Sequence, residues 1–209
     1  MRTLMFLSHL DFELYYLCRA SCVGPDMELL TVEQIKVAAS ERFTSEQLEM
    51  IGFSLRSSPL TREQIRQFEQ RLHMPLPVSF AEFLLKFDLS DVDLGGIFFS
   101  TGGNYLEILE VENLGGSKWW GFGGRPTHLL LIASTDGYII LLDIQTGVVY
   151  SVHDEDTWGS RRKIAPDFLT SVEAVGTLFF LYWDRKTEVG QEIAQQLGAD
   201  PLGRFWNSR

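Results

Sequence analysis

Cysteine is scarce in this chain of 209 residues, where Cys18 and Cys22 are the full complement. Two thiols cannot supply a disulfide framework, nor the four ligands of a structural zinc site. Spaced four apart, they fall on one face of a helix and read as reduced thiols of a cytosolic protein. Histidine is sparse too, and His9, His73, His128 and His153 stand in no metal-ligand spacing. Basic side chains number 18 against 28 acidic ones, a net charge of −10. Such a surface repels phosphate backbones and anionic lipid, which counts against direct nucleic-acid or membrane binding. It attracts a basic protein, most strongly at low salt. Also missing is any apolar run of the ~18 residues that a membrane helix needs. The opening "MRTLMFLSHLDFELYYL" is interrupted by His9, Asp11 and Glu13, which a secretory signal does not tolerate, so a cytoplasmic location is expected.

Catalytic signatures are missing as well. "GGSKWWGFGG", Gly115 to Gly124, contains neither G-x-x-x-x-G-K-[ST] nor G-x-G-x-x-G, so no nucleotide cofactor is expected. Ser134, Thr135 and Asp136 follow an apolar run without a G-x-S-x-G elbow. Nothing argues for an enzyme, a cofactor or a metal.

What is present is organised in blocks. "TVEQI" from Thr31, "TSEQL" from Thr44 and "TREQI" from Thr61 are capping boxes, in which threonine and the glutamine three residues on cap each other's amides. "SFAE" from Ser79, with Glu82, has the same form. Ile65, Phe68 and Leu72 make one helical stripe, and Phe80, Phe83, Leu84 and Phe87 another. Between them Pro75-Leu76-Pro77 forms a stiff, extended joint, because proline donates no hydrogen bond and biases its predecessor away from helix.

From Gly95 the pattern changes to short branched and aromatic runs: "GGIFFS", "YLEILEV", "HLLLIAS", "YIILLDI" and "VVYSVH". These predict strands, with "DIQTG" (Asp143 to Gly147) as a hairpin. Phe168, Val172, Val175, Phe179 and Tyr182 then form a single helical stripe containing Gly176, a position that predicts close packing. Glu188 to Leu197 predicts a further helix, and the tail is loose unless Phe205 and Trp206 dock. Helices followed by strands predict an α+β fold with an antiparallel sheet.

Two features suit a binding surface. Of the adjacent Trp119 and Trp120, at most one is core, and an exposed tryptophan is a common interaction anchor. "HDED", His153 to Asp156, reads as a solvated acidic rim, a partner-facing acidic patch or, with ligands from elsewhere, a metal site.

In this order and spacing the blocks resemble the SUKH superfamily, which includes a yeast cell-wall assembly regulator and many bacterial immunity proteins. Glu69, Leu72, Leu76, Pro77, Phe80, Phe83, Leu84 and Gly96 occupy places matching its N-terminal signature. Asp136, Gly137, Asp143, Gly147, Val149, His153 and Asp154 fall on its hairpin and closing acidic stretch, and Phe168 and Leu169 on its C-terminal helix. His73-Met74 stands where Leu-Gly is commoner. The likeness runs from about Leu60 to Trp183.

The resemblance implies a single antiparallel sheet flanked by helices. It divides the chain into an N-terminal helical extension (1–59), a SUKH-like α+β domain (60–187) and a C-terminal helical tail (188–209). It further implies an immunity protein that neutralises a cognate, basic toxin, such as a nuclease, by binding. Trp119, Trp120 and Phe122 would be its apolar anchors, and Asp136, Asp143, Asp154, Glu155 and Asp156 its acidic rim. The rival expectations are a regulatory scaffold for endogenous partners and an unrecognised hydrolase.

Overall fold

Pro75 and Pro77 leave Leu76 as the one backbone donor within their tripeptide, and that N–H is taken by the Glu69 carboxylate at 2.8 Å. In the computed structural model, which describes residues 27–100, 103–115, 118–120, 124–201 and 204–207, this bond fixes the joint between two helices. They are α3 (Arg62–Leu72) and α4 (Val78–Lys86). His73 closes α3 in the left-handed region at φ 59°. Both helices then bury the expected faces, Ile65, Phe68 and Leu72 on one and Phe80, Phe83 and Leu84 on the other. Cys18, Cys22 and Phe122 lie outside the described residues.

Three of the four capping boxes form. Thr31, Thr44 and Thr61 cap α1 (Val32–Arg42), α2 (Ser45–Met50) and α3, each with its glutamine reaching back. The box at Ser79 does not. Pro77, at φ −53° and ψ 135°, already sets the chain's approach, and α4 begins at Val78. Ser79 therefore falls inside the first turn, where its hydroxyl cannot act as the cap.

The strands form an antiparallel meander in the order β3 to β8. It comprises β3 (Asp93–Leu94), β4 (Ile97–Phe98), β5 (Leu129–Thr135), β6 (Tyr138–Asp143), β7 (Val149–His153) and β8 (Arg162–Ala165). A separate two-residue ribbon pairs β1 (Arg56–Ser57) with β2 (Phe87–Asp88). Gly95 and Gly96 form the β3–β4 turn with φ of 59° and 84°, and a side chain on Gly95 would press on the Phe179 ring. Both glycines are thus required, one for its backbone and one also for its space. In the Asp143–Gly147 hairpin, the Asp143 Oδ1 accepts from the amides of Gln145 and Thr146 at 2.9 and 3.2 Å.

"YLEILEV" is helical, not a strand. Asn104 caps α5 (Tyr105–Leu114) by accepting from the Leu106 amide. The buried residues are Tyr105, Leu106, Leu109 and Asn113, a helical spacing, while Glu107 and Val111 face water. Two-residue alternation would have put Glu107 on the same side as Tyr105 and Leu109.

One face of the sheet is covered by α6 (Phe168–Leu181). The Phe168 ring lies 4.6 Å from Phe80, 5.1 Å from Phe83 and 6.1 Å from Phe99, centroid to centroid. Gly176 lets α1 lie directly on α6, since any Cβ there would collide with Ile35. Thr177 accepts from the Leu30 amide at 2.8 Å. Further on, α7 (Lys186–Gln196) and α8 (Arg204–Asn207) pack together, with Phe205 and Trp206 buried in the same core. The tail docks. Met27, Ile35, Phe80, Phe168, Ile193 and Trp206 all belong to one continuous cluster.

Candidate functional site

A strand alternates its side chains, so the residues that β5, β6 and β7 turn away from the helices define a second face. They are Leu129, Leu131, Ile139, Leu141, Tyr150 and Val152, with Trp119 and Trp120 packed over them. The uncovered face of an antiparallel sheet is normally polar. Here it is apolar and partly roofed.

The roof is held by hydrogen bonds that also protect the sheet. Among the described residues, β5 has no strand partner on the β4 side along most of its length, the pairing there being Phe98 with Ser134. Asn113, buried on α5, satisfies Leu131 instead: its Oδ1 accepts from the Leu131 amide at 2.8 Å and its Nδ2 donates to the Leu131 carbonyl at 2.9 Å. The Tyr105 hydroxyl donates to the Ile132 carbonyl at 2.7 Å, and burial holds that phenol's pKa well above its ordinary value. Arg125 then ties down the returning chain, donating to the carbonyls of Asn113, Thr127 and Leu129 at 3.1, 3.0 and 2.7 Å. Burial draws its guanidinium below the usual pKa.

Trp120 is 4% exposed and donates its indole N–H to the Glu112 carbonyl at 2.9 Å. Trp119 meets it edge-on at 4.9 Å and stays half-buried, its indole N–H reaching the Asp154 carbonyl at 3.2 Å. Beside Trp119 lies a groove of about 260 Å³ between α5 and the sheet, walled by Phe98, Ile108, Glu112, Leu131 and Ile139. Phe98 is 41% exposed at its mouth.

Of the residues expected at a partner surface, Trp119 lines the groove, and Asp154 and Asp136 lie close to it. Trp119 contacts Asp154, whose amide donates to the Gly137 carbonyl at 3.2 Å, next to the exposed Asp136. Glu155 and Asp156 are exposed but line a different cleft, on the helix-covered side. Asp143 is buried at the far end of β6, where the hairpin amides occupy its carboxylate. Trp120 is likewise committed to the interior, so neither side chain is presented to a partner. Nothing in the sequence singles out Phe98, Ile108, Glu112 and Ile139, which wall the groove. Ile108 and Glu112 stand four apart on one helix face, a relationship hidden by reading that segment as a strand.

Among the described residues, no group of three or more His, Cys, Asp or Glu side chains could hold a metal ion. No helix among them is long and apolar enough to cross a membrane.

A family model described as SMI1 / KNR4 family (SUKH-1) matches residues 59–173, more than half of the chain. No curated protein matches it.

Proposed function

The chain belongs to the SMI1 / KNR4 family (SUKH-1), and from that premise we propose that it is a cytoplasmic immunity protein that neutralises a cognate, basic protein toxin by binding it. Membership supports a non-catalytic immunity or regulatory domain in general. The toxin, with a nuclease as the class that the family resemblance suggests, is the specific part of the proposal.

The observation that carries it is the apolar second face, with Trp119 and Glu112 lining the groove and the exposed Asp154 and Asp136 close to Trp119 through the Asp154 backbone. An apolar groove with Glu112 in its wall and exposed acids near Trp119 suits a basic partner that inserts one large apolar side chain. The net charge of −10 speeds encounter, while the groove holds the complex. Glu155 and Asp156 add to the field without lining the groove.

The test is co-purification of the tagged protein from its own cells at low and high salt, followed by affinity measurement on the reconstituted pair. A single stoichiometric basic partner, inactive when bound and weakened by Trp119→Ala, supports the proposal. Several endogenous proteins that retain their activity would favour a regulatory scaffold and overturn the toxin reading. A partner indifferent to Trp119→Ala would move the site elsewhere.

A further inference from the structure

The peptide unit between Asp154 and Glu155 is held at both ends by side chains from opposite faces of the sheet. Its carbonyl, that of Asp154, accepts from the Trp119 indole N–H at 3.2 Å, beside the groove. Its amide, that of Glu155, donates to the Nδ1 atom of His153 at 3.4 Å. His153 ends β7 on the side of the sheet that Val149 turns to the helices, whereas Trp119 packs on the apolar face. A peptide unit is planar and rigid, so its N–H cannot turn without its C=O turning too. Trp119 and His153 are thereby joined through one plane.

The same His153 nitrogen has a second neighbour. The Asp154 carboxylate oxygen Oδ1 lies 3.3 Å from it. In the neutral ring with its proton on Nε2, Nδ1 accepts from the Glu155 amide and has nothing to give the carboxylate. In the imidazolium, Nδ1 donates to the carboxylate and can no longer accept from the amide. The two arrangements exclude each other, and one proton decides between them. The ring stands ready for that exchange: Tyr138, its cross-strand neighbour, meets it edge-on at 5.5 Å, and the side chain is 37% exposed to water.

Around His153 stand Asp154, Glu155 and Asp156 of the β7–β8 connection, and Tyr138 of β6 with Asp136 in the turn before it. Arg162 and Lys163 of β8 and Asp200 line the cleft that His153 also lines. Of these side-chain types, only histidine ordinarily changes charge between about pH 5 and 8.

We propose that this peptide unit is a proton-operated relay. Protonation of His153 turns its Nδ1 from the Glu155 amide to the Asp154 carboxylate, tilts the shared plane and weakens the hold of the Asp154 carbonyl on Trp119. The same proton offsets the charge of an acid close to the groove. Weaker docking of a basic partner in mild acid is the consequence, and that consequence alone rests on the function proposed above.

The relay is read in the free, full chain, without a partner, so its failure leaves the binding proposal standing. The Trp119 indole and His153 ring resonances are followed by NMR from about pH 8 to about pH 5. The Trp119 indole should shift with the same midpoint as the His153 ring. The Trp120 indole, bonded to the Glu112 carbonyl, should hold still and report an intact fold. His153→Asn keeps a neutral acceptor near the place of Nδ1, and should hold Trp119 at its alkaline position throughout. Asp154→Asn keeps the backbone carbonyl but removes the carboxylate, and should lower both midpoints together. A Trp119 resonance that stays fixed while His153 titrates would overturn the proposal. So would a Trp119 shift that persists in His153→Asn, or midpoints that part in Asp154→Asn.

Discussion

Asn113 holds both polar groups of Leu131, accepting from its amide at 2.8 Å and donating to its carbonyl at 2.9 Å. A side chain on a helix thereby completes a strand where, among the described residues, no neighbouring strand does. Asn113→Ala leaves a buried donor and a buried acceptor unpaired, at about 1–3 kcal/mol each. Urea unfolding should show a loss of about 3 kcal/mol with an unchanged slope. A loss below about 1 kcal/mol would mean that water replaces the amide and that the α5–β5 joint depends on packing alone.

Glu69 does for the Pro-Leu-Pro joint what Asn113 does for β5. Its carboxylate accepts from the Leu76 amide at 2.8 Å. Glu69→Ala should cost about 1.5–3 kcal/mol, the range of a hydrogen bond to a charged group. Glu69→Gln, which keeps an acceptor, should recover most of that. Equal losses in the two variants would assign the effect to charge rather than to the hydrogen bond.

The contact of Gly176 with Ile35 predicts a coupled pair. Gly176→Ala gains about 1 kcal/mol of helix propensity but overpacks the α1–α6 contact by about 1–3 kcal/mol. The net result should be a loss of stability. Ile35→Val removes the Cδ1 atom that the new methyl meets first, so the double variant should lose less than the sum of the two single losses. A thermodynamic cycle measures this directly. Strict additivity would show that the helices simply move apart.

Glu173 should make stability depend on pH. Burial raises its carboxyl pKa, and repulsion from Asp167 adds to this, against an opposing hydrogen bond from the Val32 backbone. A carboxyl whose folded pKa is raised contributes stability that is complete below its unfolded pKa, and that contribution is lost as pH rises through the folded value. Glu173→Gln avoids the loss and keeps an acceptor for Val32. The variant should therefore melt higher than the parent at pH 7, with the difference vanishing below the ordinary carboxylate range. A lower melting temperature at pH 7 would show that the hydrogen bond outweighs desolvation.

The parts of the fold legible in the sequence were those with a local cause. Three capping boxes, the proline joint, the β5–β6–β7 hairpins and the Phe168 helix each follow from residues close together in the chain. The failures share a different cause. "YLEILEV" suits either period until Asn104 is recognised as a cap, and Ser79 loses its cap to a proline two residues earlier. The tail docks because Phe205 and Trp206 reach a core that includes residues as distant in the chain as Met27 and Ile35. The candidate site was half legible. Trp119, Asp136 and Asp154 stood out by residue type, whereas Phe98 and Ile108 became wall residues only once β4 and α5 were placed.

Adjacent Trp119 and Trp120 should separate binding from stability. Trp120 is enclosed by Leu129, Leu131, Leu141 and Val152 and bonded to the Glu112 carbonyl. Its replacement by alanine should cost about 3–5 kcal/mol of folding free energy, as for other large core residues. Trp119 is half-buried at the groove, and its alanine variant should fold with a much smaller loss. Against the basic partner proposed above, that variant should lose about 2 kcal/mol or more of binding, chiefly in dissociation rate. Asp154→Asn, at the rim, should instead slow association and flatten its salt dependence. If Trp119→Ala destabilises the fold as much as Trp120→Ala, the indole belongs to the core and the groove is not the docking surface.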